Sequence, residues 1–203
     1  SKNSIVSGQV LHSAYTFDKA KLIVREMTDL LVLDLVDKRL VTDQIVLTVG
    51  YDIENLKNPE IKKLYKGEIT TDHYGRHIPK SSRGTVNLDR QTSSTKLIMD
   101  RVTELFDCIV DENLLIRRVN ITANHVVDES TVERKDNFEQ LNLFTGYKEV
   151  EKEKERLIRE RKMQETILGI KEKYGKNAII KGMNLEEGAT TLERNKQIGG
   201  HKE

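Results

Sequence analysis

The chain has 203 residues, of which 33% are charged and 36% apolar, with two prolines, no tryptophan and a net charge of +1. That length suits one ordinary domain with an extension, and no apolar run approaches the roughly 18 residues of a membrane helix. The polar start Ser1-Lys-Asn-Ser4 does not read as a signal peptide, and the single cysteine, Cys108, leaves no internal disulfide to form. A soluble, cytoplasmic protein is expected.

The first segment, Gly8 to Tyr15, is rich in small and β-prone residues and reads as a strand. A helix follows, entered at Thr16 or Asp18, whose side chains can accept from first-turn amides. Its apolar stripe is Ala20, Ile23, Val24, Met27, Leu30 and Leu31, and the pattern ends near Leu40. Residues 45–51 place Ile45, Leu47 and Val49 on one side at period two, a second strand. Residues 52–79 are polar and turn-rich, punctuated by Asn58-Pro59, Gly67, Gly75 and Pro79, and predict a long hairpin or elaborated loop.

Strand character returns over Lys80 to Leu88. Thr92 or Ser93 can then cap a second helix with the stripe Leu97, Ile98, Val102, Leu105, Phe106 and Ile109. In residues 116–123, Val119, Ile121 and Ala123 alternate with outward Arg118, Asn120 and Thr122. The order strand–helix–strand, taken twice, predicts an α+β fold. A four-stranded antiparallel-type sheet carries two helices on one face and leaves the other face open.

Residues 131–146 read as a linker. Residues 148–174 form a charge-dense helical stretch, expected to be solvated and to end at Gly175, and residues 176–203 are too polar for a core. The division is therefore 1–130 as the folded domain, 131–146 as linker, and 147–203 as charged helix and polar tail.

The charge is unevenly spread. Residues 57–101 carry ten Lys/Arg against five Asp/Glu, whereas the rest of residues 1–130 carries eight against fourteen. A phosphate-binding surface and a charge-mixed solvated surface both account for this tally.

Several short stretches together resemble a known family. Ser4-Ile5, Ser7-Gly-Gln-Val-Leu11, Tyr15, Arg25-Glu26-Met27, Val49-Gly50-Tyr51 and Arg117-Arg118-Val119 resemble the C-terminal "little finger" domain of UmuC-like (ImpB/MucB/SamB-type) Y-family lesion-bypass DNA polymerases. Arg194-Asn195 and Gln197 to His201 resemble the tail of Gram-positive members of UV-damage repair type. The resemblance implies an open sheet face lying on duplex or primer–template DNA. Contacts would go to phosphates, since a lesion-bypass enzyme cannot depend on reading damaged bases. The residues it singles out are Ser4, Ser7, Gln9, Ser81, Ser82 and Thr85 as short polar donors, with Lys80, Arg83, Arg117 and Arg118 as cations. The family's metal-dependent catalysis resides in a palm domain that this stretch of sequence does not resemble. No cofactor is expected here, and magnesium belongs to the palm. The expectation is a non-catalytic, DNA-gripping and clamp-tethering part of a translesion polymerase.

The pentad Gln140-Leu141-Asn142-Leu143-Phe144 resembles the peptide by which bacterial polymerases dock on the ring-shaped sliding clamp. The Gln140 amide would bond in a small polar pocket while Leu141, Leu143 and Phe144 supply apolar contact. A fold-back anchor onto the protein's own sheet is the alternative. Val126-Val127-Asp128-Glu129 lacks a converging carboxylate cluster and reads as a strand end. His73, His77 and Asp72 surround a turn at Gly75, which argues against a metal site. Two other functions stay open: an RNA-binding sheet, disfavoured because only Tyr15 and Tyr51 could stack bases, and a module that binds the clamp without gripping DNA.

Overall fold

The computed structural model describes residues 3–136, 147–198 and 201–202. Strand β1 (Ile5–Tyr15), helix α1 (Phe17–Asp37) and strand β2 (Leu40–Tyr51) form the first unit. An excursion follows, with short helices α2 (Glu54–Lys57) and α3 (Pro59–Leu64) and a hairpin of β3 (Ile69–Thr71) and β4 (His77–Pro79). The second unit is β5 (Ser82–Thr92), α4 (Thr95–Ile109) and β6 (Ile116–Asn124). Then come β7 (Val127–Asp128), α5 (Glu129–Asp136), α6 (Tyr147–Tyr174), a 3-10 turn (Gly182–Leu185) and α7 (Thr191–Arg194). Gln197–Ile198 and His201–Lys202 pair as two short strands.

The main sheet runs β1-β6-β2-β5, antiparallel throughout, with the two-residue β7 added beside β2. The α+β architecture with both long helices on one face is the expected one, although the strands extend beyond the predicted ends. The alternation of β6 fixes which face is covered: Val119, Ile121 and Ala123 are buried, opposite Val49, Leu47 and Ile45 of β2. Over them lie α1, through Ile23, Val24, Met27 and Leu31, and α4, through Ile98, Val102 and Phe106. The two helices meet where the Phe17 and Phe106 rings pack 4.8 Å apart. Ser94, rather than Thr92 or Ser93, caps α4 by accepting from the Leu97 amide, while the Thr92 hydroxyl accepts from the Ser94 amide.

The C-terminal third departs from expectation. Residues 131–136 belong to α5 rather than to a linker, and α6, most of whose side chains are exposed as expected, is also anchored along one side. Gln164 is buried and donates to the Ser93 carbonyl and the Thr95 hydroxyl at 2.9 and 2.8 Å. Glu160 accepts from the Ser94 hydroxyl and the Lys96 amide at 2.7 and 2.8 Å. Its charge therefore sits on the free amides at the start of α4, where the helix dipole favours an anion. Arg161 ties α6 to Glu129 at 2.7 Å, and Leu168 reaches the core.

The polar tail also docks. Glu26, only 2% exposed, accepts from the Asn184 side chain and from the Thr190 and Thr191 amides at 2.8, 2.8 and 3.3 Å. Lys181 pairs with Asp29, Lys19 with Glu187, and the Tyr15 hydroxyl donates to the Gly188 carbonyl. Helix α1 is thus covered by sheet, α4, α6 and tail, which is why Leu22, Thr28, Asp29 and Leu33 are buried outside the stripe read from its periodicity. Among its described residues the tail builds no hydrophobic core of its own. It binds by satisfying a buried carboxylate, an interaction that apolar periodicity does not register.

Candidate nucleic-acid interface

With one face of the sheet covered by helices, the other is left open, and its residues follow from the register. One row across the sheet is Val6, Thr122, Val46 and Thr85; the next is Gly8, Asn120, Thr48 and Arg83. A third joins Val10, Arg118 and Gly50. Beyond the first row the amide of Asn124 donates to Gln44, and that of Gln44 to Asn87, both at 2.9 Å, forming a ladder of side-chain amides.

Apart from Arg83, Arg118 and Gln44 the side chains of this face are short, and two positions are glycine. A Cβ at Gly8 would stand 2.5 Å from the Asn120 amide oxygen, and one at Gly50 would stand 3.3 Å from the Cβ of Arg118. The absent side chains let Asn120 and Arg118 lie across the sheet. Val6 and Val10 are 65% and 60% exposed on this face. Neither Arg83 nor Arg118 has an ion-pair partner among the described residues.

The expected contact residues divide by this geometry. Arg83, Thr85 and Arg118 lie on the open face, and Ser4 is exposed just before β1. Ser81 flanks Gly50 where the face meets the excursion. Ser7, Gln9 and Ser82 are corrected to the covered side. Ser7 and Gln9 register with the buried Ile121 and Val119, and Ser82 registers with the buried Val49. Gln9 is engaged there by Thr190 and Arg194, and Ser82 by the Tyr51 hydroxyl at 2.6 Å.

Two expected cations are already paired. Lys80 contacts Glu68 at 2.7 Å, which holds its ammonium above the usual lysine range, and Arg117, at the β6 bulge, lies 3.7 Å from Asp52. The open face also includes Gly8, Gln44, Val46, Thr48, Gly50, Asn87, Asn120, Thr122 and Asn124, which the sequence reading left out of the site. Their signal was the strand alternation itself, counted outward from buried Leu11 and Ile45. The pentad Gln140, Leu141, Leu143 and Phe144 lies outside the described residues.

Beside Arg118 the face runs into a cleft of about 610 Å³ between the end of the sheet and the excursion. Its lining includes His12, Asp52, His73, Tyr74, Arg76 and Arg117. Asp72 at the hairpin turn accepts from the Tyr74 and Arg76 amides and from the Arg76 guanidinium. The guanidinium bond holds its carboxyl below the usual aspartate range. Asp72 is thus occupied within the turn, and no three His, Cys, Asp or Glu side chains gather as metal ligands among the described residues. Asp128 and Glu129 serve structure, accepting from Ser130 and from Arg161. Tyr15 and Tyr51, the aromatics a base-stacking sheet would need, are buried on the covered side.

Fold and face together define an α+β domain of two strand–helix–strand units, with one sheet face armoured by helices and the other bare, polar and cationic. Residues 2–143 match the family model of the impB/mucB/samB family C-terminal domain, and the chain belongs to that family, the UmuC-like Y-family polymerases of translesion DNA repair. No curated protein matches the sequence. Among the described residues no helix is long and apolar enough to cross a membrane.

Proposed function

We propose that the chain grips duplex DNA by the phosphate backbone through its open sheet face and tethers a translesion polymerase to the sliding clamp through Gln140-Leu-Asn-Leu-Phe144, without polymerase chemistry of its own. The observation that carries the DNA-binding part is the polar face with two arginines, Arg83 and Arg118, that have no ion-pair partner among the described residues, Arg118 lying opposite Gly50. Short hydroxyl and amide donors such as Thr48, Thr85 and Asn120 suit phosphate oxygens, and a face with no aromatic residue suits a partner whose bases stay stacked. The clamp part rests on the pentad alone. Tethering raises the local concentration of an enzyme whose own grip on DNA is weak.

Each neutralised phosphate contributes a slope of about −0.9 in log K against log salt. Lys80 and Arg117 already have carboxylate partners, so the two arginines without an ion pair among the described residues predict a slope near −2. Fluorescence anisotropy of a labelled duplex across a salt series measures it. A slope near zero, or an Arg83→Ala effect confined to one sequence, would leave the face as a protein-binding surface instead.

A further inference from the structure

Resting on that reading of the open face, we infer that the cleft between the sheet and the β3–β4 hairpin receives the single strand leaving the duplex, one base stacking on Tyr74 and the adjoining phosphate meeting Arg118.

Continuity with the DNA face is the first ground. Arg118, Gly50 and Ser81 belong to the open face and also line the cleft. A strand held on one surface would pass directly into the other. The cleft's volume of about 610 Å³ is in the range of small-ligand pockets, a size suited to a splayed nucleotide and too small for a duplex.

Charge is the second. Every carboxylate lining the cleft already has a basic partner: Asp52 with Arg117, Glu54 with Lys57, and Asp72 with Arg76. Arg118 has none among the described residues, and His12 and His73 add ring N–H donors. The charges of the lining balance, but Glu54 is neutralised by Lys57 from outside it, which leaves Arg118 without a carboxylate partner among the described residues, where an anion could enter.

The construction of the hairpin tip is the third. Tyr74 is 78% exposed, which alone would be unremarked on a soluble protein. Its backbone, however, is tied into a hydrogen-bonded turn. The Gly75 amide bonds the Asp72 carbonyl, Gly75 takes the left-handed conformation at φ +77°, and the Asp72 side chain accepts from the amides of Tyr74 and Arg76. Arg76 stands 5.0 Å from the Tyr74 ring centre, backing one face with a cation. An exposed ring on a hydrogen-bonded turn, with a cation over it and the His73 ring 5.4 Å away at 71°, is the kind of element on which single-strand binders stack bases regardless of sequence. The sheet itself offers no such ring, so stacking would occur only beyond the duplex end.

The test compares a blunt duplex, the same duplex with a single-stranded 5′ overhang, and the single strand alone, by anisotropy with the full chain. The overhang should tighten binding by roughly tenfold. Tyr74→Ala should remove that gain and leave the blunt duplex unchanged, Tyr74→Phe should keep it, and Arg83→Ala should weaken both duplexes. Equal binding of blunt and overhung duplex by the unaltered chain, or a Tyr74→Ala loss equal on both, would overturn the inference while leaving the gripping face intact. If blunt duplex does not bind but the single strand does, dependent on Tyr74, the cleft stands and the open-face reading falls. If nothing binds, both fall.

Discussion

The Glu26 carboxylate in the middle of α1 accepts a hydrogen bond from the Asn184 side-chain amide at 2.8 Å, across 158 residues of sequence. A buried carboxylate without donors would be costly, and here all three donors it has among the described residues come from the tail. Helix and tail are therefore energetically one unit. Glu26→Ala would leave the Asn184 amide and two backbone N–H groups without an acceptor, a loss of about 2–3 kcal/mol. Urea unfolding measures the loss, and protease should cut residues 176–195 faster. Leu185→Ala, at an exposed site, should change neither. A variant with unaltered cleavage would show that the tail is held by something other than Glu26.

Gly84 faces the helices: a Cβ there would lie 2.7 Å from Leu105 Cδ1 and 2.9 Å from Ile109 Cγ2. Gly84→Ala should overpack this contact between β5 and α4, lowering stability by about 1–3 kcal/mol. Gly8→Ala should behave differently, because the atom it meets is the end of the Asn120 side chain on the open face. We expect a nearly unchanged melting temperature with weaker duplex binding. Calorimetry and anisotropy on the two variants should separate packing from interface.

The turn at Asp72 should be acid-sensitive. The Arg76 guanidinium, then the amides of Arg76 and Tyr74, depress its folded-state pKa. Its contribution is therefore complete above the unfolded-state value and is lost as pH falls through the lower, folded one. The amide resonances of Tyr74 and Arg76 should titrate together, with a midpoint below that of an unperturbed aspartate. Asp72→Asn should abolish the titration. A midpoint at the ordinary aspartate value would mean the Arg76 bond contributes nothing in solution.

Leu143→Ala combined with Phe144→Ala should eliminate binding to a bacterial sliding clamp and leave the unfolding transition of the domain in place. Isothermal titration reports the first and circular dichroism the second. A large drop in thermal stability would support the fold-back alternative for the pentad.

The two units of the fold were legible because each strand and helix alternates cleanly: Ile45, Leu47 and Val49, or Ile98, Val102 and Phe106, can be buried only one way. The open face was half legible. Arg83, Thr85 and Arg118 fell on it, whereas Ser7, Gln9 and Ser82 were chosen for residue type, and a period of two sends a neighbour to the opposite side. Counting from Leu11 along β1 would have placed Gly8, rather than Gln9, toward solvent. The tail and α6 were illegible for another reason. Glu26, Gln164 and Glu160 act by hydrogen bonding across long sequence separations, and their partners have no periodicity to betray them.

The strand order has a consequence for synthesis. Strand β6 lies between β1 and β2 and is the last of the four main strands in the chain. Until Ile116–Asn124 emerges from the ribosome, β1 has no neighbour and β2 presents an unpaired flank. Roughly 100 residues separate the end of β1 from β6, which at translation speeds of about 5–20 residues per second leaves those edges bare for about 5–20 s. Bare edges recruit other chains. On the waiting strand β2 the polar side chains of Gln44 and Thr48, which belong to the proposed DNA face of the finished protein, also make that bare edge a poorer template for aggregation.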